Sequence, residues 1–317
     1  MAPRQGRTEG CHEAGTDTDA PRRLSRAGMT AMPDASLARS LLYTPATRPD
    51  RLAKAAGSGV DIVAADLEDA VASGDKAAAR QNVLAWLAAP ADGHAARAVR
   101  INGTRTAHGL RDLLAIVEAQ VRPDLIILPK AEAAADLEQL EALFQGALGK
   151  VRFIALIESA KAFARLDEIA RSTPRLVAFQ LGSADLSADL RATNSWESLL
   201  YARSQLVRAA AAAGIGVIDT PFFDLADETG LAAESQAVMR LGFTGKAAIH
   251  PKQIAAINGA FSATAHEVEH ARAVLRENEK GVGIVGGQMI DEAVARRARQ
   301  VLARAAAQGG AVESSHG

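Results

Sequence analysis

Positive and negative side chains balance in this 317-residue chain, 36 Lys and Arg against 37 Asp and Glu, which excludes the clustered basic excess of a nucleic-acid binder; an aromatic content of 4% leaves no base-stacking platform either. The one cysteine, Cys11, rules out a disulfide framework or a cysteine zinc site and fits a reducing compartment, so a cytoplasmic location is expected. No apolar run is long enough to cross a bilayer, while 48% hydrophobic residues suffice for one large core.

Residues 1–36 read as a disordered tail, rich in Arg, Gly, Asp, Thr and Pro and without periodicity. Glu9, Glu13, Asp17 and Asp19 argue against a transit peptide, and Met29 and Met32 each offer a later start. From Ser40 onward, short apolar runs alternate with helical stretches. The runs begin at Ser40, Asp61, Ala98, Leu125, Arg152, Leu176, Gly216 and Thr244, which predicts eight strands. Most are apolar on both faces, as strands of a buried parallel sheet are.

Between them, Thr47 and Pro49 mark a helix start and Gly57 its end. Asp75 opens a helix running towards Trp86, and residues 195–213 form a long amphipathic helix stopped by Gly214. The alternation allows a barrel or a doubly wound sheet. The latter requires a glycine-rich fingerprint after the first strand, where this chain has YTPATRPD. Strand count and length therefore predict a (β/α)8 TIM barrel over residues 37–262. Beyond His250 a helix is expected near Pro251, a second over 265–279 and a third after Asp291. The segment GVGIVGGQ from Gly281 reads as a four-glycine hinge, which makes residues 263–317 a C-terminal helical extension or lid.

Barrel enzymes carry their working groups at the C-terminal strand ends. Acids or bases stand at seven successive expected ends: Asp66, Glu68 and Asp69; Arg100; Lys130; Glu158; Asp185; Asp219; then Lys246 and His250. Glu158 and Asp185 end adjacent strands, and two carboxylates there suit a hard divalent cation such as magnesium. The bland alternative gives them helix-capping and turn roles. Arg100 offers a fork to a substrate carboxylate, or an internal salt bridge to Asp66 or Glu68. Those two acids either hold metal-bound waters or neutralise Arg100 and Lys130. His250, alone before Pro251, reads as a structural hydrogen-bonder, and neither a histidine metal cluster nor a Ser-His-Asp set is present.

The stretches SLLYTPATRPDRLAKA, DLEDAVASGDKAAAR, VRINGT, LPKAE, ALIESA, GSADLSADL, GLAAESQAVMRLGFTGKAAIHPKQI and GGQMIDEA occur in that order. Over residues 38–305 the chain resembles the citrate lyase β-subunit-like branch of the HpcH/HpaI aldolase family. The resemblance implies a magnesium-dependent carbon–carbon lyase, with manganese as an alternative metal. Its substrate would be a citramalyl-CoA or malyl-CoA type thioester, split to acetyl-CoA and an α-keto acid or made from them. It implies that Glu158 and Asp185 bind the metal and that Arg100 and Glu158 contact the keto acid. Asp66, Glu68 and Lys130 support them. Asp291 on the lid carries a proton into a neighbouring subunit of a homotrimer or a multiple of it. The chain departs from the family at Arg191, where a glycine is usual, and at Glu292 and Ala293, which replace the usual residues after MID. Competing readings are a citrate lyase β subunit acting on an acyl-carrier thioester, a class II aldolase acting on free hydroxy-keto acids, and a non-catalytic scaffold or regulator.

Overall fold

The computed structural model describes residues 35–309 apart from 92, 280 and 282. Eight parallel strands close into a barrel in sequence order. They are β1 (Ser40–Pro45), β2 (Ile62–Asp66), β3 (Ala96–Arg100), β4 (Leu125–Leu128), β5 (Arg152–Ile157), β6 (Leu176–Leu181), β7 (Gly216–Asp219) and β8 (Gly245–Ala248). Closure is by β8 on β1, with Leu41 opposite Ala247. The helices on the outside are α1 (Pro49–Ala55), α2 (Lys76–Ala88), α3 (Ala107–Ala119), α4 (Ala134–Leu143), the short pair α5 (Ala160–Phe163) and α6 (Leu166–Ile169), α7 (Ser183–Asp189), α8 (Trp196–Ala213), α9 (Glu228–Leu241) and α10 (Ile254–Phe261).

Alternation along each strand sorts its side chains into two cores. Leu41, Ile62, Ala64, Ala98, Leu125, Ile127, Ile154, Ala178, Ile218 and Ala247 fill the barrel interior. Leu42, Val63, Ala65, Val99, Ile126, Phe153, Phe179 and Val217 face the helices. Both faces are dry, so the strands read as continuous apolar runs. Helix ends follow their local chemistry. The Ser195 hydroxyl accepts from the Ser198 N–H at the start of α8, and Gly214 ends it at φ 69°.

Residues 35–36, expected within the tail, instead belong to a 3-10 turn (Ala35–Leu37) that packs against β6 and β7. A side chain at Gly216 would strike the Ser36 backbone, and one at Gly245 the carbonyl of Ala38. The chain thus crosses the end of the barrel opposite the mouth, over two strands that start with glycine. The expected tail otherwise lies outside the described residues.

After α10 come α11 (Ala265–Asn278), two antiparallel strands β9 (Gly283–Val285) and β10 (Gln288–Ile290), and α12 (Glu292–Gly309). Within GVGIVGGQ, residues 283–288 thus belong to a hairpin. Gly286 and Gly287 sit at φ 56° and 81°, the left-handed pair that a tight two-residue turn between twisted strands requires. Ala271, Val274, Ile290 and Ala298 form a small core of their own here. Among the described residues, no helix is long and apolar enough to cross a membrane.

Candidate active site

A cavity of about 360 Å³ opens at the C-terminal ends of the strands. Four of the expected site residues, Asp66, Arg100, Glu158 and Asp185, line it together with Tyr43, Gln180, Ser183 and Thr220. Glu158 follows β5 and is only 5% exposed. Its Oε1 accepts the Lys130 backbone N–H at 2.8 Å. Lys130 adopts φ 53°, a strained conformation for a residue with a side chain. That bend aims its N–H at Glu158 while its Nζ donates to Glu68 Oε1 at 3.0 Å. Gly182 is required opposite: any Cβ there would run into the Glu158 carboxylate.

Burial is the main force on Glu158 and pushes its pKa up to about 8. Glu68 and Asp185 add to the shift, and the Lys130 N–H opposes it. Glu68 is raised for the same reason, burial first, with Arg100 working against it. Two buried carboxylates, Glu158 and Glu68, thus sit close together at the mouth. Asp185 is exposed and lies in the first turn of α7, one step past the strand end where the sequence reading put it. Among the described residues its carboxylate has no hydrogen-bond partner, so its oxygens and Glu158 Oε2 are open to a cation. Glu158 and Asp185 fit a magnesium ion by donor type and by the negative charge it would relieve.

Arg100 takes the internal alternative. Nε and Nη2 donate to Asp66 at 2.8 and 2.6 Å, and Nη1 lies 3.2 Å from Glu68 and 3.5 Å from Asp69. Its guanidinium also stacks 4.5 Å from the centre of the Tyr43 ring. Asp66 thus occupies the Nε/Nη2 edge of the guanidinium, while Arg100 still lines the cavity. The supporting set of Asp66, Glu68 and Lys130 forms one continuous ion network with Arg100.

Three expected strand-end groups do not reach the mouth. Asp219 and Lys246 point into the layer between strands and helices. There Lys246 Nζ donates to Asp219 (2.7 Å), Glu234 of α9 (2.6 Å) and the Thr220 carbonyl (2.8 Å), and Arg203 of α8 donates to Asp219 at 3.0 Å. Burial opposes ionisation of Asp219, but Lys246 and Arg203 prevail and hold it below the usual carboxylate range. His250 Nδ1 accepts the Lys252 N–H at 3.1 Å and starts the 3-10 turn before α10, the structural role expected. It borders a smaller cavity of about 170 Å³.

Asp291 also lies apart from this chain's cavity. It is exposed and caps α12, accepting the Val294 N–H at 2.9 Å. Residues not anticipated are Tyr43, Thr220 and Gln180. Gln180 had a signal: it is the one polar residue inside the apolar run LVAFQL.

Residues 39–251 match the model of the HpcH/HpaI aldolase/citrate lyase family. The chain is 35% identical over 281 residues to the citrate lyase subunit beta of Leuconostoc mesenteroides subsp. cremoris, covering 84% of this chain and 92% of that protein. It is 33% identical over 305 residues to the L-malyl-CoA/beta-methylmalyl-CoA lyase of Cereibacter sphaeroides, covering 86% and 96%. Among solved structures, RipC from Yersinia pestis is similar with a TM-score of 0.66 at 41% identity, over 74% of this chain and 100% of that one. CitE from Mycobacterium tuberculosis, in complex with magnesium, acetoacetate and coenzyme A, gives a TM-score of 0.72 at 33% identity, over 86% and 99%. The chain belongs to the HpcH/HpaI aldolase/citrate lyase family and is a carbon–carbon lyase.

Proposed function

We propose that this lyase cleaves a 3-hydroxy-3-carboxyacyl-CoA of the malyl or citramalyl type to acetyl-CoA and an α-keto acid, or runs the reverse condensation, with magnesium held by Glu158 and Asp185. The observation that carries the reading is the buried Glu158 carboxylate, with one oxygen free, opening on the same cavity as Asp185. The magnesium in the CitE complex with acetoacetate and coenzyme A supports it.

When bound, magnesium supplies Lewis-acid polarisation of the substrate's oxygens. The rest falls to the chain's own groups. Lys130 and Gly182 orient Glu158 from two sides, by a donated N–H and by leaving room. Arg100, kept cationic and rigid by Asp66, places positive charge at the mouth, where the acid half of the substrate carries negative charge. Cleavage breaks the bond between the hydroxyl-bearing carbon and the thioester α-carbon. The 3-hydroxyl gives its proton to water at the open mouth, its oxygen becomes the keto oxygen, and the electron pair left at the α-carbon takes up one proton in turn. We assign that delivery to Asp291 of a second copy, because this chain's own Asp291 is outside its cavity.

The likeness to a citrate lyase subunit beta supports a second reading, an acyl-carrier thioester in place of CoA. A panel of malyl-, methylmalyl- and citramalyl-CoA with magnesium, read as keto-acid release, tests the proposal. Turnover of the acyl-carrier thioester with none of the CoA esters would favour the second reading.

A further inference from the structure

Gln180, on β6, is a polar side chain inside the barrel that the chemistry above does not use. Gln180 is 1% exposed and lines the cavity. Its partners in register on either side, Leu156 of β5 and Ile218 of β7, are apolar and equally suited to fill the barrel. An amide in such a layer costs stability unless its polar atoms are satisfied. Half of it is: the Tyr43 hydroxyl donates to Gln180 Oε1 at 2.8 Å, a bridge from β1 across the lumen to β6.

That bridge decides which way the amide faces. Burial pushes the Tyr43 hydroxyl further above its ordinary range, against the opposing charge of Arg100, so it remains a donor and needs an acceptor. Among the described residues the acceptor is Gln180 Oε1. The Nε2 end is therefore turned away from Tyr43, has no hydrogen-bond partner among the described residues, and is not sealed from the cavity. It presents N–H donors to the cavity, where the Nε/Nη2 edge of Arg100 is already occupied by Asp66. Five carboxylates, Asp66, Glu68, Asp69, Glu158 and Asp185, gather around this mouth against Arg100 and Lys130. A neutral donor is then a ready means of holding an anionic oxygen deep in the barrel.

We propose that Gln180 is a substrate-binding residue whose Nε2, set by Tyr43, hydrogen-bonds a carboxylate or carbonyl oxygen of a small α-keto acid, the acid half of the substrate. The inference rests on the function proposed above for the identity of the ligand. It assigns the selection of the keto acid to β6 and leaves the thioester half to the rim. A site built to donate a hydrogen bond discriminates strongly against ligands that lack the acceptor.

Calorimetric titration of pyruvate into the magnesium-loaded protein tests this without requiring turnover. Gln180→Leu should weaken pyruvate binding on the order of 10-fold and raise the KM for keto acid in condensation by a similar factor. Magnesium affinity and the KM for acetyl-CoA should stay within about two-fold. Gln180→Glu, which can still accept from Tyr43 but offers no donor when ionised, should bind pyruvate no better than Gln180→Leu. Gln180→Met serves if the leucine variant does not fold. Unchanged pyruvate affinity in a folded variant, or no pyruvate binding by the parent protein, overturns the proposal. Weakened pyruvate binding in a protein that turns over no CoA ester would keep this role for Gln180 and remove the CoA reading instead.

Discussion

Glu158 carries the clearest consequence at the scale of a single residue. With its pKa pushed up to about 8 by burial and by Glu68 and Asp185, it is mostly protonated at neutral pH in the metal-free protein. A metal ligand must be ionised, so magnesium binding at pH 7 should release about one proton, and affinity should rise with pH until about 8. Calorimetry in two buffers of different ionisation enthalpy reads the proton directly; equal apparent enthalpies would exclude it. Stability carries the opposite sign. Between the unfolded value near 4.5 and the folded value near 8, the native state holds a proton that the unfolded chain has lost, so the metal-free protein loses stability as pH rises through that window. Saturating magnesium should restore it, and Glu158→Gln should flatten the slope in thermal melts without metal. Gly182→Ala offers an independent probe. The added methyl must displace the Glu158 carboxylate, at a cost of about 1–3 kcal/mol, and magnesium affinity should fall more than the melting temperature suggests. The position of Glu158 at the mouth was legible from its place after an apolar run. Its shifted pKa was not, because it depends first on burial at the barrel mouth and then on Glu68, ninety positions away in the chain and brought near only by the fold.

At the scale of elements, the alternation of apolar runs and helices identified all eight strands, because each strand is dry on both faces. The same property hid which way a polar residue points. Asp219 and Lys246 looked like mouth residues, yet each lies on the face of its strand that meets the helices. There they join β7 and β8 to Arg203 of α8 and Glu234 of α9. One residue of register reverses such an assignment, and a strand apolar on both sides provides no register signal. Lys246 is wholly buried. Lys246→Met should therefore cost about 3–5 kcal/mol, since it leaves Asp219 buried with Arg203 alone. Adding Asp219→Asn should recover part of the loss in urea melts; additive losses would mean that the pair is not coupled. The extension shows the converse limit. Four glycines suggested an open hinge, but two of them are the positive-φ residues of a hairpin turn, flanked by strands of only three residues. Strands that short are below what periodicity can reveal.

For the molecule as a whole, Asp291 remains separated from the chemistry assigned to it. It caps α12 within an extension that has its own small core, and it does not line the cavity of its own barrel. The exposed side chains Ile284 and Met289 of the hairpin before it leave apolar surface uncovered in the single chain. If Asp291 serves the mouth of a second copy, each working site draws on two chains, and the assembly must be closed for every site to be complete. Two defects placed in different chains can then compensate. Asp291→Asn keeps a side-chain oxygen for the cap, so it should melt within a degree or two of the parent and bind magnesium as tightly, yet lose most turnover. Glu158→Gln should be inactive through its metal. Mixed and allowed to exchange subunits, the two inactive proteins should regain activity, because some sites pair an intact Glu158 from one chain with an intact Asp291 from the other. In a random trimer mixed in equal parts, about one quarter of the sites would be whole, since each of the two contributions is intact in half of the chains. Activity near that fraction would place Asp291 in trans. No recovery after demonstrated exchange would confine Asp291 to its own chain, and full activity in Asp291→Asn alone would leave it only the cap.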